Sequence, residues 1–347
     1  MGRCLELAEK GLGNVAPNPM VGAVLVYNNR IIGEGWHQEF GKAHAEVNCL
    51  GSVPADQKSL IKDSVLYVSL EPCSHHGKTP PCTELIIKSN IKNVVIGCID
   101  PFLEVSGKGI QQMKDAGITV KTGILEEECR WLNRRFFTFI ENKRPYIILK
   151  WAQTANHFIG YSSCPGEIND RLMISGDASQ RLVHKWRSEE PGIMAGTNTI
   201  LQDDPMLNTR LWEGTSPVKV IIDKELKIPV DKKVFDGDSQ TIIFNHIKDS
   251  EEGSLLFYRI KKEEQDIPQI LTALYTLAIQ SILVEGGAAL LKSFIDAELW
   301  NEARVITNTT LEIDNGLPAP VLQGSEKMSS VLLGDDSITI YRRSSNG

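Results

Sequence analysis

The chain has 347 residues, which at about 150 residues per domain points to two domains rather than one. Hydrophobic residues make up 41% and charged residues 23%, a globular balance that excludes a disordered or fibrous protein. The net charge is −7, with the acidic excess beyond residue 145, so neither half has the basic surplus of a general nucleic-acid binder. The opening stretch Gly2–Gly13 places Cys4, Leu7, Ala8 and Leu12 near helical spacing, and it is too charged for a signal peptide. Val21–Tyr27 and Arg30–Gly35 flank Asn28-Asn29, a two-residue hairpin signal because Asn tolerates φ > 0. The pattern then predicts helix from His44, strand at Val65–Ser69, helix from Pro81, strand at Val94–Cys98 and helix from Gly107. A strand at Ile118–Lys121 and one helix from Leu125 to Phe139 complete a three-layer α/β sandwich around about five strands.

The polar run Glu141–Pro145 marks a boundary, because Pro145 discourages further helix. It divides residues 1–143 from 144–347. A second alternation starts at Tyr146–Trp151 and adds a helix from Ala178 and strands near Ile193–Ala195, Val218–Asp223 and Thr241–Phe244. A helix over Pro268–Ala278, a strand at Ser281–Glu285, a helix after Gly287 and a closing strand at Ser337–Arg342 follow. No apolar run approaches the ~20 residues that span a bilayer. Seven scattered cysteines point to reduced thiols or metal ligands in a soluble, cytoplasmic chain, not to a disulfide scaffold.

His44-Ala45-Glu46 opens a helix, Pro72-Cys73 follows a strand, and Cys82 opens the next helix. One imidazole and two thiolates make a three-ligand tetrahedral zinc site with its fourth position open, the catalytic arrangement. Zinc lowers the pKa of a coordinated water from 15.7 towards about 7. Glu46, two residues past His44, can take the water's proton without ligating and pass it to a leaving amine. His75 and His76 are alternative ligands in the loop between the cysteines. The other five cysteines read most simply as small buried apolar residues. The His-x-Glu and Pro-Cys pattern is that of zinc base deaminases, but Cys73 and Cys82 lie further apart than a C-x-x-C pair.

That longer loop, with Pro17-Asn18-Pro19-Met20-Val21-Gly22 and His44-Ala45-Glu46, resembles the bifunctional riboflavin-biosynthesis deaminase–reductase family. The resemblance implies an N-terminal cytidine-deaminase-like three-layer α/β/α domain and a C-terminal dihydrofolate-reductase-like α/β domain. It implies zinc-dependent deamination of a diamino-pyrimidinone carrying a phosphoribosylamino group, then NADPH-dependent reduction of the ribosyl unit to a ribityl chain. It also implies substrate contacts at Asn18, His37, Lys78 and Asp100, with Lys78 a point charge suited to a phosphate. Relatives read Asp-Pro-Asn-Pro where this chain has Asp100-Pro101-Phe102-Leu103.

In the second half, Gly196-Thr197-Asn198-Thr199, Asp203-Asp204-Pro205 and the turn Glu285-Gly286-Gly287 resemble the family's NADPH-dependent reductase domain in order and spacing. A Gly-rich turn between strand and helix leaves backbone N–H groups for an anion, although this one is not the dinucleotide fingerprint of a Rossmann domain. By resemblance, NADPH contacts fall at Ala152, Thr199, Asp203 and the run Gly287, Ala288, Ala289, Leu290, Leu291, Lys292 and Ser293. Reductase substrate contacts fall at Lys150, Arg187, Leu207, Arg210 and Glu285, where two arginines offer bidentate donors to a phosphate. The segment Thr154-Ala155-Asn156-His157 departs from Ser-Leu-Asp-Gly, Met173 replaces a tryptophan, and a substrate serine aligns poorly with Asp170-Arg171. A position that used Gly asks for φ > 0 or a close approach, so His157 is the critical departure. The expected ligands are zinc, NADPH and a phosphorylated pyrimidine, with self-association into a homo-oligomer and no nucleic acid or membrane partner. The competing reading keeps the deaminase and makes the second domain an inactive binding or oligomerisation module.

Overall fold

The computed structural model describes residues 1–74, 80–102, 106–161, 172–237 and 239–344. Two compact units divide it, Met1–Lys143 and Arg144–Gly347. The first contains α1 (Gly2–Glu9), β1 (Gly22–Tyr27), β2 (Arg30–Trp36), α2 (Ala45–Gly51), β3 (Val65–Leu70) and α3 (Cys82–Lys88). It continues with β4 (Asn93–Cys98), α4 (Lys108–Asp115), β5 (Thr119–Lys121), α5 (Glu126–Leu132) and α6 (Arg134–Asn142). Five strands form one sheet in the order β2-β1-β3-β4-β5. Asn28 and Asn29 turn the β1–β2 hairpin with φ of 45° and 60°, the left-handed pair that suits the strand twist.

Helices cover both faces of this sheet. Ala45, Cys49 and Leu50 of α2 pack with Ala23, Leu25, Leu66 and Val68, whereas Cys4 and Leu7 of α1 pack with Val24 on the opposite face. A Cβ at Gly35 would stand 2.3 Å from the Cys49 nitrogen, so α2 lies directly on β2 and fixes the site residues at its start. The single helix expected over Leu125–Phe139 is two helices, broken at Asn133. The buried Asn133 amide binds both main-chain groups of Met20, at 2.8 and 2.9 Å, and this tertiary pairing holds the break. The opening helix also ends earlier than expected, at Glu9.

The second unit runs β6 (Tyr146–Gln153), β7 (Phe158–Tyr161), α7 (Asp177–Glu189), β8 (Gly192–Gly196), α8 (Thr197–Asp203), β9 (Val218–Ile222) and β10 (Thr241–Asn245). Then come β11 (Ser250–Glu252), β12 (Leu255–Arg259), α9 (Asp266–Thr276), β13 (Ser281–Val284), α10 (Ala288–Asp296), β14 (Glu302–Asn308), β15 (Gly316–Pro318), β16 (Ser325–Leu333) and β17 (Asp336–Arg343). Ten of these strands form one sheet, ordered β11-β12-β10-β9-β8-β13-β6-β14-β17-β16. The run from β12 to β14 is parallel, so the carboxyl ends of β8, β13 and β6 lie side by side. Open α/β sheets bind ligands outside such ends. Phe244, Phe294 and Trp300 anchor the core on one face, and Trp186, Ile306 and Ile338 lie in the cluster that includes Val183 of α7. Helix α8 and strands β7, β11, β12, β14, β15 and β16 are additions to the expected elements.

Candidate active sites

In the first unit His44 caps α2 at its start, Pro72-Cys73 follows β3, and Cys82 begins α3. The His44 Nδ1 lies 3.5 Å from the Cys73 Sγ and 3.4 Å from the Cys82 Sγ, and all three ligand atoms fall within 4.8 Å of one another. One nitrogen and two sulfurs converging at this spacing fit zinc. The Cys82 main-chain N–H donates to the Cys73 sulfur at 3.3 Å, which further favours a thiolate. A hydrogen bond from Cys82, then one from His44, holds the Cys73 thiol down at about 4.

Glu46 is 3% exposed and lies on the same short helix as the His44 ligand. Burial first, and then the Cys73 charge, raise its pKa above the usual carboxylate range, as suits a group that must carry a proton. The rings of His37 and His44 meet edge-on with centroids 5.4 Å apart. Asn18 donates to the His37 Nε2 at 3.1 Å, and the His37 Nδ1 faces the Ala43 carbonyl at 3.1 Å. This network assigns the proton to Nδ1. Burial lowers the His37 pKa, so a neutral ring faces the metal ligands. Asp100 follows β4, and its Oδ1 accepts from the Phe102 N–H at 2.8 Å. Lys78, His75, His76 and Leu103 lie outside the described residues.

In the second unit the side chains of Lys150, Arg187 and Glu285 meet at the carboxyl ends of β6 and β13. Arg187 grips Glu285 with both arms of its fork, at 2.8 and 2.9 Å, and Lys150 reaches the same carboxylate at 3.5 Å. Burial alone would raise the Glu285 pKa, but the facing charges of Arg187 and Lys150 override it and hold the group at about 2. The third Arg187 nitrogen donates to the Asn208 carbonyl at 3.0 Å, fastening the loop that carries Arg210. The main-chain N–H of Arg210 donates to the His184 Nδ1 at 3.1 Å, and its guanidinium lies exposed near the Asn208 side chain at 3.2 Å. Burial, then the Arg187 and Arg210 charges, lower the His184 pKa to about 4, so its neutral ring can accept that bond.

The expected pair of phosphate-gripping arginines therefore separates into different positions. Arg187 is committed to Glu285 and the loop, and Arg210 is the arm that points into solvent. Removing Arg187 leaves a carboxylate that is only 9% exposed without its main partner. Arg187→Ala is expected to destabilise this unit by about 3–5 kcal/mol, the usual result of stranding one member of a buried pair. A thermal scan that shows no shift in its unfolding midpoint would contradict the pairing.

Thr199 lies on α8 and accepts the Gly287 N–H at 2.9 Å, which joins two of the expected NADPH segments. That amide is thus already used within the protein. Leu291 and Leu207 are buried core residues, so their side chains serve packing. Lys292 is exposed and paired with Asp296, and the Ser293 hydroxyl donates to the Ala289 carbonyl. Ala152 lies on β6, Asp203 ends α8, and Ala288, Ala289 and Leu290 form the first turn of α10.

His157 has φ +63°, the left-handed conformation that its glycine counterpart would adopt without cost. Its Nδ1 faces the Gln153 amide at 3.0 Å. Asn156 donates to the Ile313 carbonyl at 2.8 Å while its oxygen faces the Thr154 hydroxyl at 2.7 Å. The departures at this turn are absorbed locally: Asn156 ties the turn to a neighbouring loop, using a donor that a carboxylate lacks. Met173 is 56% exposed, and Asp170-Arg171 lie outside the described residues. Two site-adjacent residues were not anticipated. His184 sits one turn from Arg187 on α7, and Glu71 directly precedes Pro72-Cys73; an acidic residue next to a ligand pair is the signal that could have found it.

Comparison with known proteins agrees with this geometry. Residues 1–98 match the cytidine and deoxycytidylate deaminase zinc-binding region, and residues 145–311 match the RibD C-terminal domain. The riboflavin biosynthesis protein RibD of Aquifex aeolicus is 40% identical over 296 residues, covering 84% of this chain and 81% of that protein. The Bacillus amyloliquefaciens protein of the same name is 36% identical, covering 96% of this chain and 87% of its own. A crystal structure from Thermotoga maritima, described as a diaminohydroxyphosphoribosylaminopyrimidine deaminase and 5-amino-6-(5-phosphoribosylamino)uracil reductase, superposes with a TM-score of 0.87 at 36% identity, covering 99% of this chain and 97% of that one. With identity of this level over most of both chains, and with a cluster of candidate metal ligands and a strand-end ion-pair site in separate units, the chain belongs to the RibD family of riboflavin biosynthesis proteins.

Proposed function

We propose that the chain carries out two consecutive reactions, deamination in residues 1–143 and reduction in residues 144–347. The observation that carries the first is the convergence of His44, Cys73 and Cys82 beside buried Glu46. Those three residues would hold zinc, which when bound makes an attacking water nucleophilic near neutral pH. Asn18, His37 and Asp100 line the approach and orient the diamino-pyrimidinone, with Lys78 on its phosphate. The water oxygen bonds to the ring carbon, and Glu46 carries one of its protons to the amino nitrogen as the carbon–nitrogen bond breaks. The second proton ends on the adjacent ring nitrogen, so ammonia leaves and a carbonyl remains.

In the second unit Thr199, Asp203 and the Gly287–Ser293 turn and helix would hold NADPH, which when bound would supply a hydride to the ribosyl carbon as its ring carbon–oxygen bond opens and the freed oxygen takes a proton from water. Arg210 faces the substrate phosphate. Glu285, locked by Arg187 and Lys150, orients the sugar hydroxyls for alignment, which is the protein's main task in hydride transfer. Work in the cytoplasm suits a chain whose six described cysteines are all free and whose metal ligands need reduced thiols. No described helix is long and apolar enough to cross a membrane. Self-association is supported by β16, an edge strand exposed on both faces that carries solvent-facing Met328, Val331 and Leu332.

Purified protein given the diaminopyrimidine substrate should release ammonia without NADPH, and should oxidise NADPH only once deaminated product is present. Binding of pre-deaminated substrate and NADPH without turnover would leave only the deaminase, with an inactive second unit.

A further inference from the structure

We propose that Glu71 is a positioning residue of the deamination site, fixing the loop that carries Asp100 against the loop that carries Cys73. The proposal rests on reading Asp100 as a substrate contact. Glu71 leaves β3 directly before Pro72-Cys73 and is 4% exposed. Its own N–H donates to the Cys98 carbonyl at 3.0 Å. Its Oε2 accepts the N–H groups of Asp100 at 3.4 Å and Gly107 at 3.0 Å. Its Oε1 accepts those of Gly109 at 3.0 Å and Ile110 at 3.3 Å.

Among the described residues no basic side chain is paired with this carboxylate. A buried charge is tolerated only when its oxygens are satisfied, and here three amides at the start of α4 and that of Asp100 do so, helped by the helix dipole. A local cap would serve α4 alone. Instead the N-cap is Gly107 at φ +75°, with no side chain and no acidic residue in the first helical turn, and capping falls to a residue far away in sequence. A Cβ at Gly109 would stand 2.4 Å from the Pro72 carbonyl, so the first turn of α4 rests directly on the ligand loop. Because the same carboxylate holds the Asp100 amide, it sets the distance between the metal ligands and the Asp100 loop. Sites built this way lose rate or affinity when a support shifts by a fraction of an ångström.

The test is a double-mutant cycle on the full-length zinc-loaded protein, using Glu71→Gln, Asp100→Ala and both together. Gln keeps the size of the side chain but turns one acceptor into a donor facing N–H groups. Glu71→Gln is expected to raise the KM for ammonia release about ten-fold, with zinc content and NADPH oxidation of pre-deaminated substrate unchanged. Asp100→Ala should raise KM by a similar factor alone but add little in the Glu71→Gln background, because residues acting as one unit are not additive. A merely structural Glu71 would give independent, multiplying effects, and that result overturns the proposal alone. An Asp100→Ala variant with wild-type KM overturns the substrate reading of Asp100 and this proposal with it. Loss of zinc from Glu71→Gln would show that Glu71 supports only the ligand loop, which also overturns it. If the Gln variant does not fold, Glu71→Asp, which keeps the charge and shortens the reach by one methylene, takes its place in the same cycle.

Discussion

Cys73→Ser and Cys82→Ser are each expected to lose zinc and ammonia release together, with NADPH oxidation of pre-deaminated substrate retained. The cluster offers one nitrogen and two sulfurs within 4.8 Å, so a single substitution leaves two strong ligands and one weak hydroxyl. Tetrahedral zinc sites with three protein ligands have none to spare. The Cys73 sulfur also accepts the Cys82 N–H, a bond that stabilises thiolate and that a neutral hydroxyl uses less well. Metal analysis after dialysis, beside a coupled ammonia assay, separates the outcomes. Full zinc retention in both variants would move the metal site elsewhere.

Glu46→Gln is expected to divide the same two readouts. Zinc should stay, because Glu46 is not among the converging ligand atoms. Ammonia release should fall at least about a hundred-fold, the lower range of general acid–base catalysis. Gln keeps the shape of a buried side chain in α2 but cannot shuttle a proton between water and the leaving nitrogen. The wild-type group is suited to that task, because burial and the neighbouring Cys73 raise its pKa and so ease its uptake of a proton from water. NADPH oxidation should continue, since none of the residues assigned to reduction lies in this unit. Ammonia release near the wild-type rate would assign the proton transfer to another group.

The metal cluster is legible in the sequence because few roles need a His-x-Glu at a helix start and two cysteines after strands and at helix starts. The β1–β2 hairpin is legible for a similar reason, since two Asn residues meet a backbone demand that most residues resist. Strand β14 is not, because Glu302 and Arg304 occupy core-facing positions where apolar alternation is the usual sign. They are buried as an ion pair at 2.7 Å, and that partner is visible only in three dimensions. Strand β16 hides for the opposite reason: both of its faces are exposed, so no periodicity marks it. The Arg187–Glu285 pair spans distant parts of the chain, and single-residue reasoning treats the two as separate ligand contacts. The helix break at Asn133 depends on Met20 in the same way. For His157 the departure itself was readable, but its relief through Gln153 and the neighbouring turn was not.

The position of β6 bears on how the chain is made. This first strand of the second unit is flanked on the sheet by β13 and β14, which leave the ribosome only with residues 281–284 and 302–308. Until then Ile147, Ile148 and Leu149, all fully buried in the finished protein, have neither neighbour. The first unit closes its sheet from strands that end by Lys121, and N-terminal domains generally fold first during synthesis. A nascent chain stalled midway therefore presents a finished deaminase fold joined to an unpaired apolar strand, and translation must pass Asn308 before that strand acquires both partners.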